Sequence, residues 1–145
     1  PISTPKEFER FPFVLSTGAR NWFMFHSEHR QAPHLRAGRP LPLVQMNPKD
    51  AERVGIRDGE WVWLENDRGR CKRVVEVTNV MAEHVLMSDH GWWLPEAPGE
   101  ERDGLFGTFE LNVNKLLPSY APGTSGFGAN YKALLCNVRK VEEGE

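Results

Sequence analysis

The sequence predicts a mainly β domain, a small barrel of short strands with one or two short helices and long loops. Three observations lead there. The apolar runs are short and strand-like, and none approaches the ~18–20 residues of a membrane helix. Turn-forming residues punctuate them, with Asn66–Arg70 reading as a hairpin turn around Gly69. One segment alone, after Asn47, carries both the start and the stop signals of a helix.

Length and composition suit one ordered domain. The chain has 145 residues, 26% charged and 39% apolar, within the range of ordinary folded domains. Five Trp and eight Phe need a core, a cleft or a surface covered by another domain. The net charge of −2 argues against a general nucleic-acid binder, which needs a positive field. Charge is uneven, however. Arg20, Arg30, Arg36 and Arg39 share a stretch with one acid, Glu28, and with His26, His29 and His34. Such an island suits a discrete anionic ligand as well as a solvated loop with paired charges. Cys71 and Cys136 read as buried thiols, since their spacing matches no zinc or iron–sulfur site.

In chain order, Pro1–Arg10 reads as an incoming linker and Phe11–Ser16 as a strand broken by Thr17-Gly18. Trp22–Phe25 is apolar. Gln31–Pro42, with three Pro and one Gly, reads as a loop. Leu43–Met46 is a strand. Asn47 is then a good N-cap and Pro48 suits the first helical position. Asp50 and Glu52 favour the positive end of the helix dipole, and Gly55 can end the helix at positive φ. Glu60–Glu65, Cys71–Thr78 and His84–Ser88 read as strands. From Asp89 to Asn130 alternation is lost, and a stretch this long is functional or disordered; its aromatics and Asn residues favour function. Tyr131–Arg139 closes as a strand. The domain is expected over residues 11–141, with 142–145 an acidic tail or a continuation.

The string Asn47-Pro48-Lys49-Asp50-Ala51-Glu52-Arg53-Val54-Gly55-Ile56-Arg57-Asp58-Gly59-Glu60-Trp61-Val62-Trp63-Leu64 resembles the helix–turn–strand hallmark of the molybdopterin-dinucleotide-binding domain. That domain ends the catalytic chains of the dimethyl sulfoxide reductase superfamily. Leu15-Ser16-Thr17-Gly18, Asp67-Arg68-Gly69-Arg70, Val77-Thr78, Asn112-Val113-Asn114-Lys115-Leu116 and Tyr131-Lys132 follow the family's order around it. Ser27-Glu28-His29-Arg30-Gln31 and His90-Gly91-Trp92-Trp93-Leu94-Pro95-Glu96 resemble the branch of thiosulfate-reductase-like, formate-dehydrogenase-like and acetylene-hydratase-like proteins. The resemblance covers roughly Phe11 to Val141. It implies a six-stranded double-psi β-barrel, the aspartate-decarboxylase-like fold.

The implied cofactor is molybdopterin guanine dinucleotide, carrying molybdenum or tungsten. In this superfamily the metal's protein ligand, when present, comes from another domain, and neither Cys here lies in a matching motif. A flat pterin, a diphosphate and a guanine ask for cations, backbone N–H groups and amide side chains. The resemblance points to ten residues. Thr17 and Gly18 offer close backbone approach. Arg20 departs from the family pattern, because Ala19 separates it from the Gly. His26 or Ser27 would bond pterin or phosphate, and Arg30 would supply charge. His26 and His29 are three apart, but they lack a third ligand for a metal. Asn112 and Asn114 would share a face if their segment were extended, and Asn also suits a turn. Tyr131 and Lys132 would face the cofactor at the start of the last strand. Trp92-Trp93 would wall the cofactor or pack against other domains, and Trp61 and Trp63 would enter the barrel core or an interdomain contact.

The expected partners are the remaining domains of the same catalytic chain, with iron–sulfur electron-transfer partners, no nucleic acid and no membrane contact. The missing N-terminal Met also leads us to expect a piece of a longer polypeptide. Three alternatives compete. A pyruvoyl decarboxylase on this barrel needs a Gly-Ser bond, and the sequence has none. A double-psi interaction module leaves the Asn pair and basic loop unused. A standalone small subunit of a tungsten or molybdenum enzyme remains open.

Overall fold

The computed structural model describes residues 5–19, 21–24, 29–30, 32–94, 105, 107–118 and 132–145. Six strands close into a barrel: β1 (Phe13–Ala19), β2 (Leu43–Met46), β3 (Trp61–Asn66), β4 (Gly69–Val77), β5 (Val85–Asp89) and β6 (Leu134–Lys140). Around the barrel they run β1-β5-β2-β4-β3-β6. The pairs β1·β5 and β2·β4 are parallel, and the other pairings are antiparallel. This is the six-stranded barrel that the resemblance implies.

Alternation builds the core, because successive strand side chains face opposite sides. Phe13, Leu15, Val44, Met46, Val62, Leu64, Cys71, Val75, Leu86, Leu134, Cys136 and Val138 pack together inside. Each large side chain buried there contributes about 1.5–3 kcal/mol relative to exposure. Both cysteines are free and buried, as read from the sequence.

The helix after Asn47 forms as its signals predict. α3 spans Pro48–Val54, after α1 (Pro5–Arg10) and α2 (Pro33–Gly38). Asn47 Oδ1 accepts from Lys49 N at 2.9 Å, and Gly55 closes the helix at φ +69°. Ile56 then buries against the core. Asp50 does more than favour the helix dipole. It accepts from His84 N at 2.6 Å and pairs with Arg53, tying the helix to the approach of β5. The hairpin at Asp67-Arg68 is also as expected, with Asn66 opposite Gly69.

Other expectations need correction. Thr17-Gly18 does not break β1. The strand runs on to Ala19 through a register shift between Thr17 and Ala19, with Gly18 at φ +75°. A bulge absorbs the glycine and keeps the chain paired. The stretch Gln31–Pro42 holds helix α2, because Pro33 sits at its first turn, where a missing N–H costs little. Trp61 and Trp63 are not in the barrel core, since Val62 and Leu64 take the inward positions of β3. Trp61 instead packs beside Met24, Trp92, Leu94 and Leu111 in a second cluster. The stretch read as structureless contains α4 (Thr108–Leu111) and a 3-10 helix (Val113–Leu116). The stretch read as a linker holds α1. No helix among the described residues is long and apolar enough to cross a membrane.

Candidate functional site

The parallel pairing of β1 with β5 sets the carboxyl ends of both strands side by side, Thr17 opposite Ser88 and Ala19 opposite Asp89. The chain leaves β5 there through His90, Gly91, Trp92 and Trp93. A cavity of about 260 Å³ opens at this end, lined by Arg30, His90, Gly91, Trp92, Trp93, Thr108, Asn112 and Asn114.

Its charge is strongly positive. Arg30, Arg36 and Arg73 are all buried, and the buried carboxylate facing them is Asp89. Asp89 is already engaged by Arg39, whose Nε donates to Oδ2 at 3.0 Å. Arg30 Nη2 donates to His90 O at 2.9 Å, and Arg36 Nη2 to Trp93 O at 3.1 Å. Both guanidinium groups lie over the Trp92 ring, at 4.6 Å and 5.1 Å from its centroid. Stacking of this kind holds a cation without neutralising it. Burial pulls the Arg30 pKa down to about 10, against the pull of Asp89 and with repulsion from Arg36 and Arg73.

Arg73 is the deepest of these groups, at 0% exposure. It occupies an inward position of β4, in phase with Cys71 and Val75. Nε donates to Ser88 Oγ at 2.8 Å, and Nη2 to Asp89 O at 3.2 Å and Gly91 O at 3.3 Å. Arg73 therefore fixes the backbone that forms the cavity wall. Burial also lowers its pKa.

Arg30 Nε and Trp92 Nε1 are buried donors with no hydrogen-bond partner among the described residues. Leaving a buried donor unpaired costs about 1–3 kcal/mol. Such donors at a cavity are where an anionic or acceptor-rich ligand would compensate that cost.

A second group lies on β1 at the same barrel end. Lys132 Nζ donates to Thr17 O at 3.0 Å. Gly18 holds φ +75°, and a Cβ there would stand 3.7 Å from Lys132 Nζ. Gly91, at φ +55°, has Arg30 Nη1 at 3.9 Å from the same virtual position. Each glycine thus pairs an open backbone with an adjacent cation.

A family model described as "Molydopterin dinucleotide binding domain" matches residues 13–133. The chain belongs to this family. A dopamine dehydroxylase from Eggerthella lenta is 35% identical over 144 residues, covering 97% of this chain and 14% of that protein. An acetylene hydratase from Syntrophotalea acetylenica is 33% identical over 111 residues, 77% of this chain and 15% of that protein. Among solved structures, acetylene hydratase from Pelobacter acetylenicus superposes with TM-score 0.86 at 27% identity, over 97% of this chain and 20% of that one. The chain therefore spans a small part of the length of each relative. The family's cofactor is a molybdopterin dinucleotide, and its enzymes use molybdenum or tungsten.

The residues present fit such a group. A diphosphate needs fixed cations and close backbone approach, which Arg30, Lys132, Gly18 and Gly91 would offer. A flat heterocycle needs aromatic walls and amide edges, which Trp92, Trp93, Asn112 and Asn114 would offer.

Of the ten residues expected at the site, Arg30, Asn112 and Asn114 line this cavity. Thr17, Gly18 and Lys132 form the neighbouring group. Arg20, His26, Ser27 and Tyr131 lie outside the described residues. The Asn pair reaches the cavity by a different route from the extended one. Asn112 caps the 3-10 helix and accepts from Asn114 N at 2.9 Å, while Val113 and Leu116 turn into the core. Asn-capping outcompetes the strand geometry here.

Arg36, Arg73 and Asp89 were missed as site residues. Arg73 had a signal, a cation in phase with the apolar residues of a strand. Arg36 had one as well, its place in the basic island between Arg20 and Arg39, whereas Asp89 had none, since its meeting with these cations depends on distant strands pairing.

Proposed function

We propose that this chain is the C-terminal cofactor-binding domain of a larger molybdenum or tungsten oxidoreductase. In this reading it grips the diphosphate of molybdopterin guanine dinucleotide at the carboxyl ends of β1 and β5, and the metal is ligated outside the domain. The observation that carries the reading is the surplus of buried guanidinium at a cavity where Arg30 Nε and Trp92 Nε1 have no partner among the described residues.

The cofactor, when bound, supplies the metal and the redox chemistry. The chain's own residues bind and orient it. Arg30 and Trp92 Nε1 address phosphate oxygens, Lys132 and the Gly18 backbone extend the anion cradle, and Asn112 and Asn114 read a heterocycle edge. Thr17 contributes through its backbone. Arg20, His26, Ser27 and Tyr131, outside the described residues, are assigned to the same cofactor by the family resemblance alone. Trp92 and Trp93 exclude water, which strengthens every ionic contact nearby. Arg73 acts at one remove by holding the carbonyls of Asp89 and Gly91.

Two facts support metal ligation elsewhere. Cys71 and Cys136 both point into the barrel, and burial raises both thiols above the ordinary range. The match of nearly the whole chain to a minor part of much longer relatives supports a domain of a catalytic chain over a standalone subunit. The partners are then the other domains of that chain, with iron–sulfur electron-transfer partners.

The test uses the full catalytic chain purified from a host that makes the cofactor. Bound guanine released by acid hydrolysis is counted per chain, with the metal measured in parallel. Arg30→Met is expected to bind about tenfold or more weakly, and so to lose guanine on dilution and dialysis that the wild type keeps, as for a charged hydrogen bond removed. Arg68→Met, at an exposed turn, is expected to retain all of it. Full guanine occupancy in Arg30→Met overturns the assignment.

A further inference from the structure

The outer wall of β3, β4 and β6 carries a feature that the cofactor reading does not use. Trp63 stands between Lys72 and Arg139 in the strand register, and its side chain points away from the barrel interior. An outward Trp should be wet, yet Trp63 is 4% exposed. Cations and residues 142–145 cover it. The Arg70 guanidinium lies 4.1 Å from the ring centroid and Lys72 Nζ 4.9 Å.

One carboxylate organises this cover. Glu145 accepts from Arg139 Nη1 at 2.7 Å and Nη2 at 3.0 Å, from Arg70 Nη1 at 3.2 Å, and from Trp63 Nε1 at 3.2 Å. It also accepts from Glu142 N at 3.1 Å, and Lys72 Nζ donates to the Glu145 backbone oxygen at 3.1 Å. Glu145 N returns to Glu142 O at 3.1 Å, so the segment is a tight turn laid on the wall. The bidentate guanidinium contact is the strongest geometry available to a carboxylate. Glu143, in the same turn, is exposed.

We propose that this wall is a carboxylate-binding site, filled in cis by Glu145, and that residues 142–145 form a displaceable strap over Trp63. The donors come from three strands and converge on one carboxylate, whereas a merely solvated acidic tail needs no such convergence. The ion pairs on Glu145 are partly open to solvent, so a second carboxylate can reach the same cations. The site therefore exchanges its occupant, and a second acidic peptide competes for it. The Arg139 contact holds the Glu145 carboxyl down at about 2. The strap is thus charged and closed at every pH where the ordinary carboxyl is charged, and it opens as pH falls through about 2.

The experiment follows the Trp63 indole N–H in the 15N-labelled chain, with its resonance identified by Trp63→Phe. Glu145→Gln is expected to shift that resonance and to speed its hydrogen exchange about tenfold or more. Arg139→Gln is expected to do the same, and Glu143→Gln to do neither. Adding the peptide acetyl-Glu-Glu-Gly-Glu to Glu145→Gln is expected to move the resonance back toward the wild-type position. An indole signal unchanged in Glu145→Gln, or one equally perturbed in Glu143→Gln, overturns the strap. Failure of the peptide at millimolar concentration to move the signal overturns the exchangeable site. The remaining resonances report that each variant is folded.

Discussion

Replacing Trp92 by Phe perturbs stability and binding by different amounts, and both follow from the geometry. The indole N–H of Trp92 is buried with no partner among the described residues. Removing it returns the cost of an unpaired donor, about 1–3 kcal/mol. The smaller ring leaves a void worth about 1 kcal/mol. It also weakens the stacking of Arg30 and Arg36 by about 0.5–1 kcal/mol. The sum runs from about −1 to about +1.5 kcal/mol, so Tm moves by no more than about 6 °C for a chain of this size. Trp92→Ala, by contrast, is expected to lose about 3–5 kcal/mol. Binding behaves otherwise. A hydrogen bond to a charged acceptor is worth about 1.5–3 kcal/mol, or roughly 10- to 150-fold in affinity. Thermal unfolding with inorganic pyrophosphate reads both effects. At a concentration tenfold above the wild-type Kd, pyrophosphate should stabilise wild type by about 1.4 kcal/mol and Trp92→Phe by about 0.4 kcal/mol or less. Equal stabilisation of both proteins would refute the donor role. An intrinsic loss above about 3 kcal/mol in Trp92→Phe would show that the indole N–H has a partner within the protein.

Three further outcomes are expected. Asn47→Ala should cost about 2 kcal/mol, about half from the lost cap and half from the lost bond of Nδ2 to Met81 O, while Asn47→Asp keeps the cap and loses about half as much; denaturant midpoints check this. Arg73→Met should cost about 1–3 kcal/mol in the same assay, because it takes the guanidinium donor from the Gly91 carbonyl and leaves Ser88 Oγ only its own donation to Leu43 O and Asp89 O; a gain in stability would contradict its role. Cys71 and Cys136 should resist alkylation in the native chain at pH 8 and react on unfolding, as mass spectrometry would show. Their folded pKa values are raised, so the stability from keeping them neutral is full below the ordinary thiol range near ~8.5 and declines as pH climbs above it.

How much was legible in the sequence depended on whether the signal was local. Helix α3 was readable because Asn47, Pro48 and Gly55 act on their own neighbours. The hairpin at Asp67-Arg68 was readable for the same reason. The bulge at Gly18 was read as a break, because a positive-φ glycine looks alike in a turn and in a paired strand. Trp61 and Trp63 were assigned correctly to one face, but which face turned inward depended on Val62 and Leu64 meeting strands far along the chain. The Asn pair was found through the family resemblance, and its geometry was governed by a cap that the extended reading overlooked. The charge of the site was the least legible. Arg30 and Arg36 come from one segment and Arg73 from another, and β2, paired with both β4 and β5, brings Arg73 beside Ser88 and Asp89. The resemblance supplied the cofactor class, and the buried charge supplied a physical reason for it.

The most direct test of the account is the structure of the full catalytic chain with its molybdopterin dinucleotide bound. The account predicts diphosphate oxygens within hydrogen-bond reach, about 3 Å, of Arg30 or Trp92 Nε1, on the side facing Gly18. A diphosphate elsewhere on the barrel, with the cavity between Arg30, Trp92 and Asn112 filled by protein side chains, would contradict it.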